Sequence, residues 1–258
     1  MLFQSIVYGP IHSRRLGNSL GVELMPLDHK LCTFNCVYCE CGWNTPVSHP
    51  KLPTRAEVKA ALEEKLKSLP YKEGQGVGLS TITFSGNGEP TLHPDFLGII
   101  QDTCALRDRY CPDAKVSVLS NSTQLGRPEV VEALLLCDNR ILKLDAGTDE
   151  MMRRIDLPVN EQLTVAQIMQ WLSVFHGDFI LQTCFLRGEH AGQIIDNTSL
   201  EELEAWYDAV EQLRPKQIMI YVIDRKTPEE HLEKISRAEM ESIADPLIIQ
   251  GYDVVISA

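Results

Sequence analysis

Residues 81–90 read TITFSGNGEP. The first half, Thr81–Ser85, is rich in β-branched and aromatic side chains that suit a buried strand. The second half, Gly86-Asn87-Gly88-Glu89, is turn chemistry that ends it. Five further β-rich runs follow the same plan: Leu20–Met25 (LGVELM), Lys115–Leu119 (KVSVL), Ile141–Asp145 (ILKLD), Phe179–Phe185 (FILQTCF) and Lys216–Val222 (KQIMIYV). Helical signals stand between them. Thr54 with Glu57, Thr164 with Gln167 and Ser199 with Glu202 have capping-box spacing, and Ala56–Leu69 and Leu200–Leu213 carry the apolar repeat of amphipathic helices. Strand followed by helix, repeated, predicts parallel strands joined by right-handed crossovers. Periodicity allows either an open doubly wound sheet or a complete or partial barrel. In both, chemistry gathers where strands end and loops begin. Those ends read Pro26 leading into a cysteine loop, then Gly86–Glu89, Ser120-Asn121, Asp145-Ala146-Gly147, Arg187-Gly188 and Asp224-Arg225.

A chain of 258 residues buries roughly three quarters of its unfolded surface and sustains one large core. It has 24 Lys plus Arg against 36 Asp plus Glu, a net charge of −12, which argues against a broad nucleic-acid footprint. No apolar run approaches the ~20 residues of a membrane span, and no leader pattern opens the chain. A cytoplasmic protein is expected.

Four of the eight cysteines crowd at 32, 36, 39 and 41; the others stand alone at 104, 111, 137 and 184. Cys32-Thr33-Phe34-Asn35-Cys36-Val37-Tyr38-Cys39 is a C-x-x-x-C-x-x-C triplet. Thiolates are soft ligands suited to Fe–S clusters or zinc. Structural zinc usually draws on two well-separated pairs. Three thiolates on a four-iron cubane instead leave one iron open to another ligand. The isolated Cys104, Cys111, Cys137 and Cys184 are read as buried apolar filler.

CTFNCVYC resembles the cluster motif of the radical S-adenosylmethionine (SAM) superfamily, with Tyr38 at its aromatic position. FSGNGEP, residues 84–90, is similar to the turn that holds the SAM amino group, with Glu89 as acceptor and Gly86, Asn87 and Gly88 around it. Asn121, Lys143 and Asp145 fall where the superfamily contacts SAM. The resemblance spans residues 9–225 and implies an α/β fold, a partial (β/α)6 TIM-like barrel. Residues 226–258 form a short C-terminal extension in one domain, 1–258. More narrowly, GPIHSRRLGNSLGVELMP, YCE, SGNGEPTLHP and KLDAG are similar to Fe–S oxidoreductases related to tRNA wyosine synthases. Those enzymes carry further cysteines ahead of the triplet; this chain has none before Cys32, and tRNA is not the expected substrate.

The resemblance implies a [4Fe-4S] cluster on Cys32, Cys36 and Cys39, SAM as second cofactor, and an external one-electron donor such as flavodoxin or ferredoxin. Reductive cleavage of SAM would give a 5′-deoxyadenosyl radical that abstracts hydrogen from a substrate. Rival readings are an activase placing a glycyl radical on a partner protein and a non-catalytic Fe–S or zinc protein. By two-residue alternation Ile180, Gln182 and Cys184 share one face of the fifth strand; if that face lines the barrel, Gln182 and Cys184 border a pocket. Arg14 and Arg15, read as a loop before the first strand, offer guanidinium groups to a substrate or partner.

Overall fold

The structure, a computed structural model, describes residues 2–13, 15–70 and 78–258. In chain order its elements are β1 (Val7–Ser13), β2 (Gly17–Val22), α1 (Arg55–Ser68), β3 (Thr81–Phe84), α2 (Phe96–Tyr110), β4 (Lys115–Ser120), α3 (Pro128–Leu135), β5 (Asn139–Lys143), α4 (Asp149–Ile155), α5 (Val165–Leu172), β6 (Ile180–His190), β7 (Gln193–Asp196), α6 (Leu200–Leu213), β8 (Gln217–Val222), β9 (Leu232–Lys234), α7 (Arg237–Ile249) and β10 (Val254–Ser257). They group into two compact units. One comprises Met1–Cys32, Asn44–Ser120 and Gln124–Arg140; the other comprises Thr33–Trp43, Asn121–Thr123 and Ile141–Ala258.

In the first unit β1 and β2 form an antiparallel hairpin, and β2, β3 and β4 run parallel, with Val22, Phe84 and Val118 in register. Leu20, Ile82, Phe84 and Val116 are fully buried, as a parallel sheet covered on both faces requires. Helix α1 sends Val58, Leu62 and Leu66 inward at four-residue spacing. Thr54 and Glu57 form the expected capping box, each side chain bonded to the other's backbone N–H.

In the second unit β5, β6, β8 and β10 are parallel neighbours, with Lys143, Gln182 and Met219 in register. β6 runs eleven residues; its outer half pairs antiparallel with β7 on one side and β9 on the other. Thr183 Oγ1 accepts from Trp206 Nε1 at 3.0 Å, and Phe185 meets the Trp206 ring edge-on at 5.2 Å. Those residues face α6, so by alternation Ile180, Gln182 and Cys184 take the other face. Cys184 is fully buried there and Gln182 nearly so.

Several boundaries differ from the sequence reading. The first predicted strand, Leu20–Met25, is registered earlier, at Gly17–Val22; Glu23 still donates its N–H to Ile6 O at 2.8 Å, while its carboxylate accepts from Met25 N. The hairpin strand β1, the short β7 and β9 and the last strand β10 lie outside those six runs. Arg15 sits in the β1–β2 hairpin turn, not in a loop before the first strand, and its N–H donates to Ser13 Oγ at 3.3 Å. Arg14 lies outside the described residues. Gln167 and Glu202 leave the second half of their capping boxes unmade, while Ser236 and Glu239 complete theirs at α7. Cys111, just after α2, is buried as expected, whereas Cys104 is half-buried, not core. Cys137 is buried, and burial raises its thiol pKa. Among the described residues no helix is long and apolar enough to cross a membrane.

Candidate functional site

In the first unit the turn after β3 is held from three sides. Gly86 has φ +154°, a conformation that favours glycine. A Cβ there would stand 1.9 Å from Glu23 Oε2. Glu23 accepts from Asn87 N at 2.6 Å and from Met25 N at 2.7 Å. Gly88 bridges Leu31, the residue before Cys32: Leu31 N donates to Asn87 O at 3.0 Å and Glu89 N to Leu31 O at 3.2 Å. The Asn87 side chain is committed to the N-terminal segment, donating to Phe3 O and Pro26 O and accepting from Phe3 N. Its role is to tie the turn down. Glu89, 2% exposed, caps the short 3₁₀ turn Pro90–Leu92 and accepts from Thr91 and from Ser120 Oγ at 2.9 Å. A buried carboxylate at a strand end, held by hydroxyl and amide donors, can receive a ligand's ammonium group.

Burial pushes the Glu23 carboxyl up to about 7, against the lowering effect of its backbone bonds. The folded protein therefore holds a proton at Glu23 that the unfolded chain releases near pH 4.5, and this group's contribution to stability falls as pH rises from 4.5 to 7. Wild type should lose stability relative to Glu23→Gln across that window, by at most about 1.4 kcal/mol per pH unit. Urea midpoints of both proteins at pH 5, 6 and 7 check this; parallel pH profiles would refute it.

In the second unit the cysteine loop docks onto the end of α4. Asn35 N donates to Asp156 O at 2.8 Å, Val37 N to Ile155 O at 2.9 Å, and Val159 N to Thr33 O at 2.9 Å. Phe34 and Val37 are buried and pin the loop. Cys39 N reaches Cys36 O at 3.1 Å, closing a turn between those two cysteines. Asn121 Nδ2 donates to Thr33 Oγ1 at 2.8 Å, while Thr123 N–H and hydroxyl donate to its Oδ1.

Lys143, at the end of β5, points into this loop. Its Nζ donates to Cys36 Sγ at 3.0 Å and pairs with Asp145 at 3.0 Å and Asp156 at 2.8 Å. It lies 4.7 Å from the Tyr38 ring centroid and 5.4 Å from that of Phe34. The Tyr38 hydroxyl donates to Asp145, whose other oxygen accepts from Cys184 N at 2.9 Å. Burial works against the Lys143 ammonium, but Asp145 and Asp156 outweigh it and hold its pKa well above the usual lysine range. Burial, with Asp145 nearby, likewise raises the Tyr38 phenol. Burial also lifts the Asp145 carboxyl, although Lys143 opposes it.

Two supports went unread in the sequence. Asn197 donates to Asp145 O at 2.8 Å and Cys184 O at 2.7 Å and accepts from Leu186 N, bracing the ends of β5 and β6. Glu202 accepts from Gly147 N at 2.9 Å and from Thr148, holding the loop after β5. Asp156 was also missed; nothing local in RRIDLP marks it.

Thus Cys36, Tyr38, Lys143 and Asp145 form one network, and Gly86–Glu89 form another. Cys32 belongs to the first unit and Cys39 to the second. Among the described residues no three His, Cys, Asp or Glu side chains are gathered closely enough to hold one metal ion. The donor set is nonetheless that of a cluster site: thiols spaced on one loop, one of them, Cys36, hydrogen-bonded to both Lys143 Nζ and Asp156 Oδ1.

The family model described as the radical SAM superfamily matches residues 29–196. A protein named GTPase Obg from Brachyspira hyodysenteriae is 31% identical over 91% of this chain, which spans 32% of that protein. A UPF0026 protein from Helicobacter pylori strain J99 is 28% identical over 85% of this chain and 67% of its own length. Among solved structures, Streptococcus suis SuiB bound to S-adenosylmethionine superposes with a TM-score of 0.63 at 13% identity, covering 92% of this chain and 50% of SuiB. TYW1 with a lysine-pyruvate adduct bound gives 0.59 at 16% identity, covering 91% of this chain and 74% of that one. The chain thus spans about a third of the Brachyspira relative and half of SuiB. These likenesses show the fold class to be α/β, of the partial TIM-like barrel type.

Proposed function

The chain belongs to the radical SAM superfamily, and on that premise we propose that Cys32, Cys36 and Cys39 are the ligands of its [4Fe-4S] cluster. The family implies that cluster and SAM, and the chain is an enzyme. When bound, the cluster supplies the electron for reductive cleavage of SAM. What this chain's residues contribute is binding, orientation and dryness. Glu89 is our candidate for the SAM amino group, on a turn whose glycines keep side chains out of the way. Asn121 offers a further polar contact. Lys143, Asp145 and Tyr38 support the cysteine loop.

The observation that carries this reading is the coincidence of the family match with the cysteine triplet and with a buried Glu89 carboxyl group on the turn after β3. We take residues 1–258 as one domain, since the match at 29–196 draws on both units. The substrate is left open; the net charge of −12 disfavours tRNA. A low-potential flavodoxin or ferredoxin is the proposed electron donor.

Anaerobic reconstitution with iron and sulfide, followed by dithionite reduction in the presence of SAM, tests the reading. Four irons per chain and release of 5′-deoxyadenosine are expected. A colourless protein holding zinc, with no SAM cleavage, would overturn it. Cys41→Ser should retain wild-type iron content, because Cys41 lies outside the triplet spacing; loss of iron in that variant would make Cys41 a ligand and revise the set.

A further inference from the structure

Lys143 carries the inference. Resting on the reading that Cys36 is a cluster ligand, we propose that Lys143 is a positioning residue that sets the cluster's reduction potential through the Cys36 sulfur. Its ammonium group donates to Cys36 Sγ at 3.0 Å from a side chain only 12% exposed. Hydrogen bonds to ligating sulfurs and local charge are among the levers that fix Fe–S potentials. Reduction adds negative charge that spreads onto the sulfurs, and a fixed cation beside one of them favours the reduced form. In this dry setting the effect is little screened by solvent.

The surrounding carboxylates sharpen the sign. Asp156 Oδ1 lies 3.3 Å from Cys36 Sγ and 2.8 Å from Lys143 Nζ. Asp145 is further engaged by the Tyr38 hydroxyl and Cys184 N–H. With Lys143 present, the Asp156 charge beside the sulfur is matched. Without it, a buried carboxylate faces the thiolate unopposed and resists the incoming electron. The aromatic rings of Tyr38 and Phe34, 4.7 and 5.4 Å away, favour the cation and limit where it can move.

The experiment is an anaerobic potentiometric titration, monitored by electron paramagnetic resonance, of the reconstituted full chain as wild type, Lys143→Met, Lys143→Arg and Asp156→Asn. Iron and sulfide are assayed in each. At a fixed solution potential, the ratio of reduced to oxidised cluster in Lys143→Met should fall about tenfold, a 59 mV drop in midpoint for a one-electron couple. Lys143→Arg should stay within about twofold of wild type, and Asp156→Asn should move in the opposite direction, because its cation is less neutralised. A merely structural lysine would change cluster content or melting temperature and leave the midpoint alone.

A fully loaded Lys143→Met with the wild-type midpoint overturns the proposal. If Lys143→Met does not load, an unshifted Asp156→Asn overturns it instead, and a raised midpoint there supports it. A wild type without iron and sulfide removes the reading beneath, so the two failures are told apart.

Discussion

Cys36→Ala should abolish reductive cleavage of SAM while leaving the chain folded. Its sulfur is the one that Lys143 and Asp156 share, so its loss removes a ligand and the group those side chains orient. Loss of an outer-shell partner of a metal ligand typically costs about 10–100-fold in affinity or activity; loss of a ligand itself should exceed about a hundredfold in 5′-deoxyadenosine release, with iron and sulfide falling in parallel. The fold has reason to survive. Lys143 keeps both ion pairs, and the backbone bonds from Asn35 and Val37 to the end of α4 do not involve the thiol. A cooperative melt close to that of apo wild type, with no cluster signal, is the expected pair of readouts. Retention of a full cluster and its turnover would remove Cys36 from the ligand set and with it the argument for Lys143.

What the sequence disclosed and what it hid divide along physical lines. The parallel strands were legible because their buried runs are continuous and β-branched, and the cysteine loop because three ligands in eight positions leave few other uses. β7 and β9 were not legible: Gln193–Asp196 and Leu232–Lys234 are short and mostly exposed, and exist as strands because β6 runs on beside them. Glu202 has capping-box spacing from Ser199, yet its carboxylate serves Gly147 and Thr148, over fifty positions earlier. Its choice was decided by tertiary contacts. Asp156 has the same character, since only the folded chain brings it to Cys36 and Lys143. Glu23 did leave a signal, an acid inside the apolar run LGVELM. It marks the place where the strand ends and the glycine turn is gripped.

That turn is where a single methyl group should do the greatest structural damage. At Gly88 an added Cβ would stand 1.7 Å from the carbonyl oxygen of Leu31. The obstacle is backbone, so no rotamer change relieves it. The same carbonyl accepts from Glu89 N, and Leu31 N donates to Asn87 O, so separating the strands breaks bonds on both sides of the clash. Overpacking costs about 1–3 kcal/mol where side chains can shift, occasionally more. Here the cost should exceed about 3 kcal/mol, and Gly88→Ala should melt about 6–12 °C below wild type at the 2–4 °C per kcal/mol usual for chains near this size. Gly42 supplies the contrast. Its φ of +85° disfavours alanine, but a Cβ there meets nothing within 4 Å, so Gly42→Ala should cost only about 1 kcal/mol, the strain of the backbone alone. The Gly88 displacement also moves Leu31, next to Cys32, and Glu89, the proposed SAM contact. Apparent SAM affinity should therefore weaken even in the folded fraction. A Gly88→Ala protein that melts within 2 °C of wild type and cleaves SAM normally would show that the Leu31 bridge yields, and that the close packing of this turn is not what holds Glu89 in place.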